Sequence, residues 1–167
     1  MLPEHLQWHL YPGLLILLLA ANGAPVVARR LLGDRWARPV DGGCLFADGR
    51  PWLGPSKTWR GLLAAALAAL LVTPLAGTDW TTGLLVAAGA MAGDLAASFL
   101  KRRLGIASSG MAPGLDQIPE SLLPLWLVRE RLALAGADLA ALTALFLILE
   151  LALSRLGYRL RIRRRPW

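Results

Sequence analysis

The sequence predicts an all-α fold, a polytopic integral membrane bundle of about five transmembrane helices with the N-terminus outside and the C-terminus in the cytoplasm. Hydrophobic residues make up 56% of the 167 residues and charged residues 17%, against about 25% charged residues in an average soluble domain. The mean hydropathy is +0.50. Such a composition excludes a soluble enzyme, a disordered tail and a disulfide scaffold, and the single cysteine, Cys44, has no partner for an internal bridge.

Stretches with few or no charges mark the spans, because a helix needs about 20 mostly apolar residues to cross a bilayer. The first stretch has no charge and lacks the basic leader of a signal peptide, so we interpret it as a span. In the third, Gly89 and Gly93 would let a neighbouring helix approach closely. In the last, we interpret Glu150 as the partner of an arginine, with a proton site as the alternative. The predicted spans of this single membrane domain (1–167) are 10–28, 61–78, 80–100, 118–135 and 138–155, and the cytoplasmic loops are 29–60 and 101–117.

The distribution of lysine and arginine decides between four spans and five. Cytoplasmic loops collect basic residues. Of the 18 basic residues, seven lie in 29–60, three directly follow the third stretch and six lie in the tail. Five spans place these 16 in the cytoplasm, so the fourth stretch is accepted although Arg129, Glu130 and Arg131 interrupt it. The basic residues behind the net charge of +7 then set the orientation in the membrane and contact anionic lipids, and no nucleic acid partner is expected.

The loop 29–60 carries the first candidate site. Ser56, Lys57, Thr58 and Arg60 follow a Gly-Pro turn just before the second span. Backbone N–H groups in such a turn and at a helix start attract anions, so this segment is suited to hold a phosphate. The alternative is a positive-inside loop whose basic side chains face lipid headgroups.

The second candidate site combines two carboxylates with a basic cluster. Asp94 is an ionisable residue inside a span, which by default marks a functional site. Helical spacing places on its face Ser98 and then Lys101 or Arg102. Asp116 follows a turn that contains a proline and a glycine in the second cytoplasmic loop, so the chain brings both aspartates toward one surface. Two carboxylates there are suited to a Mg²⁺-bound triphosphate. The alternatives are that Asp94 pairs with Lys101 or with an arginine of a neighbouring helix, and that Asp116 caps a helix.

Three blocks of sequence follow one another along nearly the whole chain. They read Ala-Asn-Gly-Ala-Pro at 21–25, Leu-Gly-Pro-Ser-Lys-Thr-Trp-Arg-Gly at 53–61, and Gly-Asp at 93–94 with Ser-Phe-Leu-Lys-Arg-Arg at 98–103 and Leu-Asp-Gln at 115–117. Together they resemble the CDP-archaeol synthase family, the small five-span branch of the CTP-dependent cytidylyltransferases that also includes CDP-diacylglycerol synthase. The family pattern continues with a second aspartate, where this chain has Pro119 followed by Glu120.

The resemblance implies roles for individual residues. The catalytic group comprises Asp94, Lys101, Arg102 and Asp116. Together with the phosphate-holding turn described above, the substrate-binding group comprises Asp41, Asp48, Gly49, Arg50, Ser56, Lys57, Thr58, Arg60 and Ser98. The metal ligands are Asp94, Asp116 and, in place of the second aspartate, Glu120.

The resemblance also implies an activity. Family members transfer a cytidylyl group from CTP to a lipid phosphate with Mg²⁺ as cofactor, forming CDP-lipid and pyrophosphate for phospholipid biosynthesis. For this chain it implies a multi-pass enzyme of the inner (cytoplasmic) membrane with an archaetidic- or phosphatidic-acid-like acceptor. The sequence does not define the oligomeric state and is compatible with a homodimer. The alternative is a non-catalytic relative that acts as a membrane scaffold.

Overall fold

The structure, a computed structural model, describes residues 6–108, 110 and 112–159. Its helices are α1 (Tyr11–Leu32), α2 (Trp59–Val72), α3 (Trp80–Arg103), α4 (Gln117–Val128) and α5 (Gly136–Arg159), and a 3-10 turn at Trp8–Leu10 precedes α1. In these described ranges no strand forms apart from two isolated β-bridges between α1 and α2. The predicted all-α bundle is therefore confirmed, and one helix overlaps each predicted span.

The helices fall into two classes by length. With its 3-10 turn, α1 has 25 residues, and α3 and α5 have 24 each, so that all three are long and apolar enough to cross a membrane. The other two, α2 and α4, have 14 and 12 residues, which give about 21 Å and about 18 Å of rise against a hydrocarbon core of about 30 Å. Both are shorter than the predicted spans 61–78 and 118–135, because the chain turns at Pro74 and at Arg129.

Side chains from all five helices form the core, with Ala69 as the contribution of α2, and the outer faces remain apolar. The fully buried cluster contains Leu14, Leu17 and Leu18 of α1, Val86 of α3, Leu125 of α4 and Phe146 of α5. On the outside of α2, Leu63, Leu67 and Leu71 lie one turn apart and are 61–77% exposed. A row of exposed leucines of this kind is typical of a surface that meets lipid.

The two predicted small residues of α3 are the points where α4 approaches most closely. A Cβ atom on Gly93 would lie 2.1 Å from the carbonyl oxygen of Pro119, and one on Gly89 would lie 2.5 Å from the Cα of Pro124. No side chain fits at such separations, so glycine is required at both positions. The contact fixes α4 along α3 and brings its first turn beside Asp94.

The two ends of the bundle differ in what connects the helices. We call the end that carries the loops 33–58 and 104–116 the loop end, and the end that carries the shorter connections 73–79 and 129–135 the turn end. At the loop end α3 continues past the starts of α2 and α4, since Arg103, the last residue of α3, lies nine residues after Asp94, about 14 Å of rise. The two loops surround this last part of α3.

Candidate active site

The first ion pair of the site joins α3 to the loop before α2. The Lys57 Nζ atom lies 2.5 Å from Oδ1 and 2.6 Å from Oδ2 of Asp94, and both side chains are 20% exposed. The backbone at Lys57 is fixed by its neighbour Thr58, whose Oγ1 accepts a hydrogen bond of 3.2 Å from the N–H of Gly61 and so caps α2. Asp94 therefore has a lysine of the first loop as its partner, rather than Lys101 or a helical arginine.

The second ion pair joins the end of α3 to the start of α4. The Lys101 Nζ atom lies 2.6 Å from Oδ1 of Asp116, and Lys101 is only 8% exposed. Asp116 occupies the position before α4, but among the described residues its carboxylate accepts from the Ala112 N–H at 3.2 Å and caps no helical N–H. The alternative that Asp116 is simply a helix cap does not hold, because its charge is matched by a nearly buried ammonium.

Acidic and amide side chains continue the site into the bundle. Glu120, one turn into α4, lies beside Asp94 and in the field of Lys57 and Glu150. Gln117 donates from Nε2 to Glu150 Oε2 at 3.0 Å. The structure thus places Glu120 beside Asp94, on the face where the resemblance puts a third metal ligand.

A buried arginine lies where the two loops meet. Arg102 is 5% exposed, donates from Nη2 to the carbonyl oxygen of Ala107 at 2.8 Å, and has an Nε atom with no hydrogen-bond partner in the described chain. The loops also touch through hydroxyl groups, since Ser108 Oγ donates to Ser56 Oγ at 3.0 Å. Gly54, with a φ of +92°, permits both Arg102 and Ser108 to approach the first loop, because a Cβ there would lie 3.2 Å from Arg102 Nη1 and 3.3 Å from Ser108 Oγ.

Several predicted substrate-binding residues hold the first loop instead of facing the ion pairs. Asp41 accepts from the N–H groups of Gly43 at 3.0 Å and of Leu53 and Gly54 at 2.9 Å. Burial opposes ionisation of this carboxyl group, but the three backbone donors outweigh it and lower the pKa of Asp41 below its ordinary value. Asp41 therefore closes the hairpin in which Gly49, with a φ of +74°, forms the tip.

The hairpin is clamped to α3 by two arginines that bind each other's backbone. Arg50 donates from Nη1 to the carbonyl oxygens of Arg102 and Arg103 at 3.3 and 2.5 Å. Arg103 in turn donates to the carbonyl oxygens of Arg50 and Pro51 and pairs with Asp48 at 2.5 Å. Asp48, Gly49 and Arg50 thus position the loop.

Two further predicted residues lie at the edges of the site. Arg60 donates from Nη1 to the carbonyl oxygens of Gly33 and Arg35 at 2.8 and 2.6 Å, which ties α2 to the end of α1. Ser98, one turn after Asp94, is 2% exposed. The groups brought together at the loop end are therefore Lys57, Asp94, Lys101, Arg102, Asp116 and Glu120.

The carboxylates are suited to share a metal with a substrate rather than to enclose one. Within the described residues no three acidic, histidine or cysteine side chains lie close enough to hold an ion by themselves. Asp94 and Lys101 are seven residues apart on α3, about 10 Å of rise, so the two aspartates face separate lysines. Mg²⁺ is usually bound by one or two carboxylates plus substrate phosphates, and the Asp94–Glu120 pair, which already faces an ammonium, fits that arrangement.

Sequence reasoning missed the link made by Gln117 and Glu150. Gln117 belongs to the Leu-Asp-Gln block, but a glutamine carries no charge and gave no signal of its own. Glu150 was noticed as a charge inside a span, and an arginine was expected beside it. Among the described residues Glu150 accepts hydrogen bonds from Gln117 Nε2 and from Ser154 Oγ, each at 3.0 Å, and only the packing of α5 on α4 brings Gln117 to it.

Comparison with known proteins places the chain among lipid-synthesising membrane enzymes. A family model described as "CarS-like: CDP-archaeol synthase" matches residues 13–167. The CDP-archaeol synthase of Hyperthermus butylicus is 38% identical over 163 residues, covering 89% of this chain and 90% of the relative. That of Aeropyrum pernix is 39% identical over 164 residues, covering 89% and 86%. A solved structure described as "Structural insight into an intramembrane enzyme for archaeal membrane lipids biosynthesis" is similar at a TM-score of 0.66 and 34% identity, covering 82% of this chain and 90% of that one.

Proposed function

Because the chain belongs to the CDP-archaeol synthase family, it is a membrane cytidylyltransferase that forms a CDP-lipid, and we propose that it transfers the cytidylyl group of CTP to a lipid phosphate with release of pyrophosphate. Family membership favours this enzyme over a non-catalytic scaffold. The acceptor is a phosphate on two isoprenoid or acyl tails, archaetidic- or phosphatidic-acid-like. The relatives' name favours the isoprenoid form.

The observation that carries the proposal is the pair of lysine–aspartate contacts at the loop end. Each contact joins segments far apart in the chain, Lys57 with Asp94 and Lys101 with Asp116. Charged side chains inside a membrane protein are costly and are typical of functional sites. A reaction between two phosphates needs cationic side chains to bind the phosphates and carboxylates to bind a metal ion. Arg102 adds a guanidinium beside Asp116.

The reaction needs no general base. The acceptor phosphate is already an anion, so one of its oxygens attacks the α-phosphorus of CTP directly. A new P–O bond forms there, and the bond between the α-phosphorus and the oxygen bridging to the β-phosphorus breaks, so pyrophosphate departs with that oxygen. Positioning and charge neutralisation account for most of the catalysis of such transfers. We assign these tasks to Lys57, Lys101 and Arg102, whose charges would bind the phosphates.

Asp94 and Glu120 would hold Mg²⁺ together with oxygens of the triphosphate, while Asp116, which faces Lys101, would serve as a further carboxylate toward the nucleotide-bound metal. When bound, the ion would polarise the α-phosphorus and neutralise charge on the departing pyrophosphate. The lysines then have a second task, because Lys57 and Lys101 hold the aspartates in place before the nucleotide arrives. Their flexible stems allow them to turn from carboxylate to phosphate.

We place the loop end in the cytoplasm and the enzyme in the cytoplasmic membrane. The loop 29–60 carries seven of the chain's 18 basic residues, and cytoplasmic loops collect such residues. CTP is a cytoplasmic metabolite, so this orientation opens the site to its nucleotide, while the lipid phosphate reaches it from the inner leaflet.

The test is turnover by the purified protein with CTP, Mg²⁺ and a panel of acceptors. CTP labelled at the α-phosphorus is expected to label the lipid fraction, and CTP labelled at the γ-phosphorus is expected to label pyrophosphate. Archaetidic and phosphatidic acid are compared, and a lipid without the phosphate serves as the control acceptor. Absence of α-label from lipid with every phosphate acceptor would overturn the proposal.

A further inference from the structure

Glu150 is a carboxylate inside α5 that the proposed reaction does not use. Its Oε2 accepts from Gln117 Nε2 at 3.0 Å, and its Oε1 accepts from Ser154 Oγ at 3.0 Å. An ionisable side chain within a membrane span is costly and marks a functional position by default. Its partner on α4 indicates what the function is.

Gln117 connects three parts of the chain. It is 7% exposed, so its amide group is held in one orientation. Its Oε1 accepts from the N–H of Gly114 at 2.9 Å, while its Nε2 donates to Glu150. Both ends of the carboxamide are therefore used, one on the turn before α4 and the other on α5.

The groups on either side of Gln117 are those of the candidate site. Asp116 immediately precedes it and pairs with Lys101. Glu120 follows one turn later and lies beside Asp94. Any shift of the first turn of α4 would move both carboxylates at once, and the bond to α5 restrains this turn in addition to the glycine contacts that fix α4 along α3.

We propose that Glu150 is a positioning residue for cytidylyl transfer, holding the first turn of α4 through Gln117 so that Asp116 and Glu120 face α3. This inference rests on the proposed function. It requires hydrogen bonds at position 150 rather than a charge. A glutamine there would accept from Gln117 through its oxygen and donate to Ser154 Oγ through its nitrogen, and both contacts would persist.

The test compares kcat and the KM for CTP in four variants of the full-length protein. Glu150→Met and Gln117→Met cut the link from either side with little change of shape, and each is expected to lower kcat by about 10–100-fold, since small misplacements of reacting groups cost up to about that much. The KM for CTP should change by less than about threefold, because the basic residues that bind the nucleotide remain. Glu150→Gln should retain kcat to within about threefold, as the conservative rescue.

The fourth variant and a matched control separate positioning from general damage. The double variant Glu150→Met/Gln117→Met should be no slower than the slower single variant, because both remove one link. Thr143→Val removes a polar group from the same helix, one whose Oγ1 has no hydrogen-bond partner in the described chain, and should leave kcat unchanged. If Glu150→Met does not fold, Gln117→Met carries the test from the other side.

The outcomes distinguish this inference from the proposed function. If the wild-type protein forms no CDP-lipid, the proposed function fails. If the wild type turns over and Glu150→Met does so equally well, only the positioning role fails. The role is also overturned if Glu150→Gln is as slow as Glu150→Met, which would make the charge the requirement, or if the two Met substitutions multiply in the double variant.

Discussion

Carboxylates stabilise both ends of the bundle, but the buried one at the turn end meets neutral, fixed donors. Asp138 is completely buried and accepts from the N–H of Gln7 at 2.8 Å, from the N–H of Ala135 at 2.8 Å and from the hydroxyl of Tyr11 at 2.9 Å. These contacts join the start of α1 to the start of α5. The carboxylate cannot be released without leaving several donors unsatisfied.

At the loop end two carboxylates of the candidate site meet ammonium groups on flexible stems. Lys57 holds Asp94 and Lys101 holds Asp116, each at hydrogen-bonding distance. An ammonium can move to a phosphate, and the carboxylate it leaves can accept a metal cation, without breaking a helix start. The comparison of Asp138 with these two aspartates teaches that a carboxylate satisfied by backbone and hydroxyl donors holds the bundle together, whereas one paired with a mobile ammonium is available for the proposed reaction.

The largest effect expected is loss of activity on removing a carboxylate at the loop end. Asp94→Ala and Asp116→Ala are each expected to lower CDP-lipid formation by about 10²–10³-fold, as removal of a single electrostatic contact does in other enzymes. The assay follows label from CTP into lipid in detergent. Asp138→Asn is the matched control at the turn end, and its turnover per folded molecule should equal that of the wild type. Wild-type activity in either alanine variant would contradict the assignment.

The next effect concerns the close approach of α4 to α3. A Cβ on Gly93 would lie 2.1 Å from the carbonyl oxygen of Pro119, so Gly93→Ala must push the first turn of α4 away from Asp94. We expect turnover to fall by about 10–100-fold. The control is Gly23→Ala in α1, where no described heavy atom lies within 4 Å of the new Cβ. Equal activity in the two variants would show that the spacing of α3 and α4 does not matter for the reaction.

At the turn end, stability should change while catalysis does not. The carboxylate of Asp138 accepts three hydrogen bonds through its two oxygens. In Asp138→Asn one of these oxygens becomes an NH₂ group, which cannot accept, so at least one buried donor loses its partner. The expected cost is about 1–3 kcal/mol, measured by thermal unfolding in detergent. A variant as stable as the wild type would mean that these contacts do not hold α1 to α5.

The smallest effect is an acid-dependent loosening of the hairpin that Asp41 closes. Its folded-state pKa is lowered, so its contribution is present above the ordinary aspartate pKa of about 3.9 and disappears as pH falls through the lower folded-state value. Protection of residues 41–54 from hydrogen exchange should therefore be constant from pH 7 to about pH 4 and decrease below it. Asp41→Asn should weaken protection at pH 7 and remove the acid dependence; an unchanged profile would contradict the role of Asp41.

Much of the fold could be predicted from the sequence, because the thickness of the bilayer sets the length of charge-free stretches and basic residues collect in cytoplasmic loops. The shortness of α2 could not, since α2 ends before Pro74 within a stretch that remains apolar enough to pass as a span. The end of α4 coincides with Arg129, Glu130 and Arg131, which interrupt the fourth stretch in the sequence. For the site, the positions of Lys57, Asp94, Lys101 and Asp116 along the chain indicated chemistry, but the way they pair depends on packing. Asp41 and Arg50 were grouped with the substrate-binding residues, and only the structure reveals their backbone partners.

The central claim is tested most directly by the affinity of the purified protein for CTP in the presence of Mg²⁺. Titration calorimetry compares the wild type with Lys57→Ala and with the turn-end control Arg131→Ala. A charge-assisted contact contributes about 1.5–3 kcal/mol, so Lys57→Ala is expected to bind CTP about 10–100-fold more weakly, while Arg131→Ala binds as the wild type does. Equal affinities of the wild type and Lys57→Ala would contradict the claim that the lysine–aspartate pairs of the loop end receive the nucleotide.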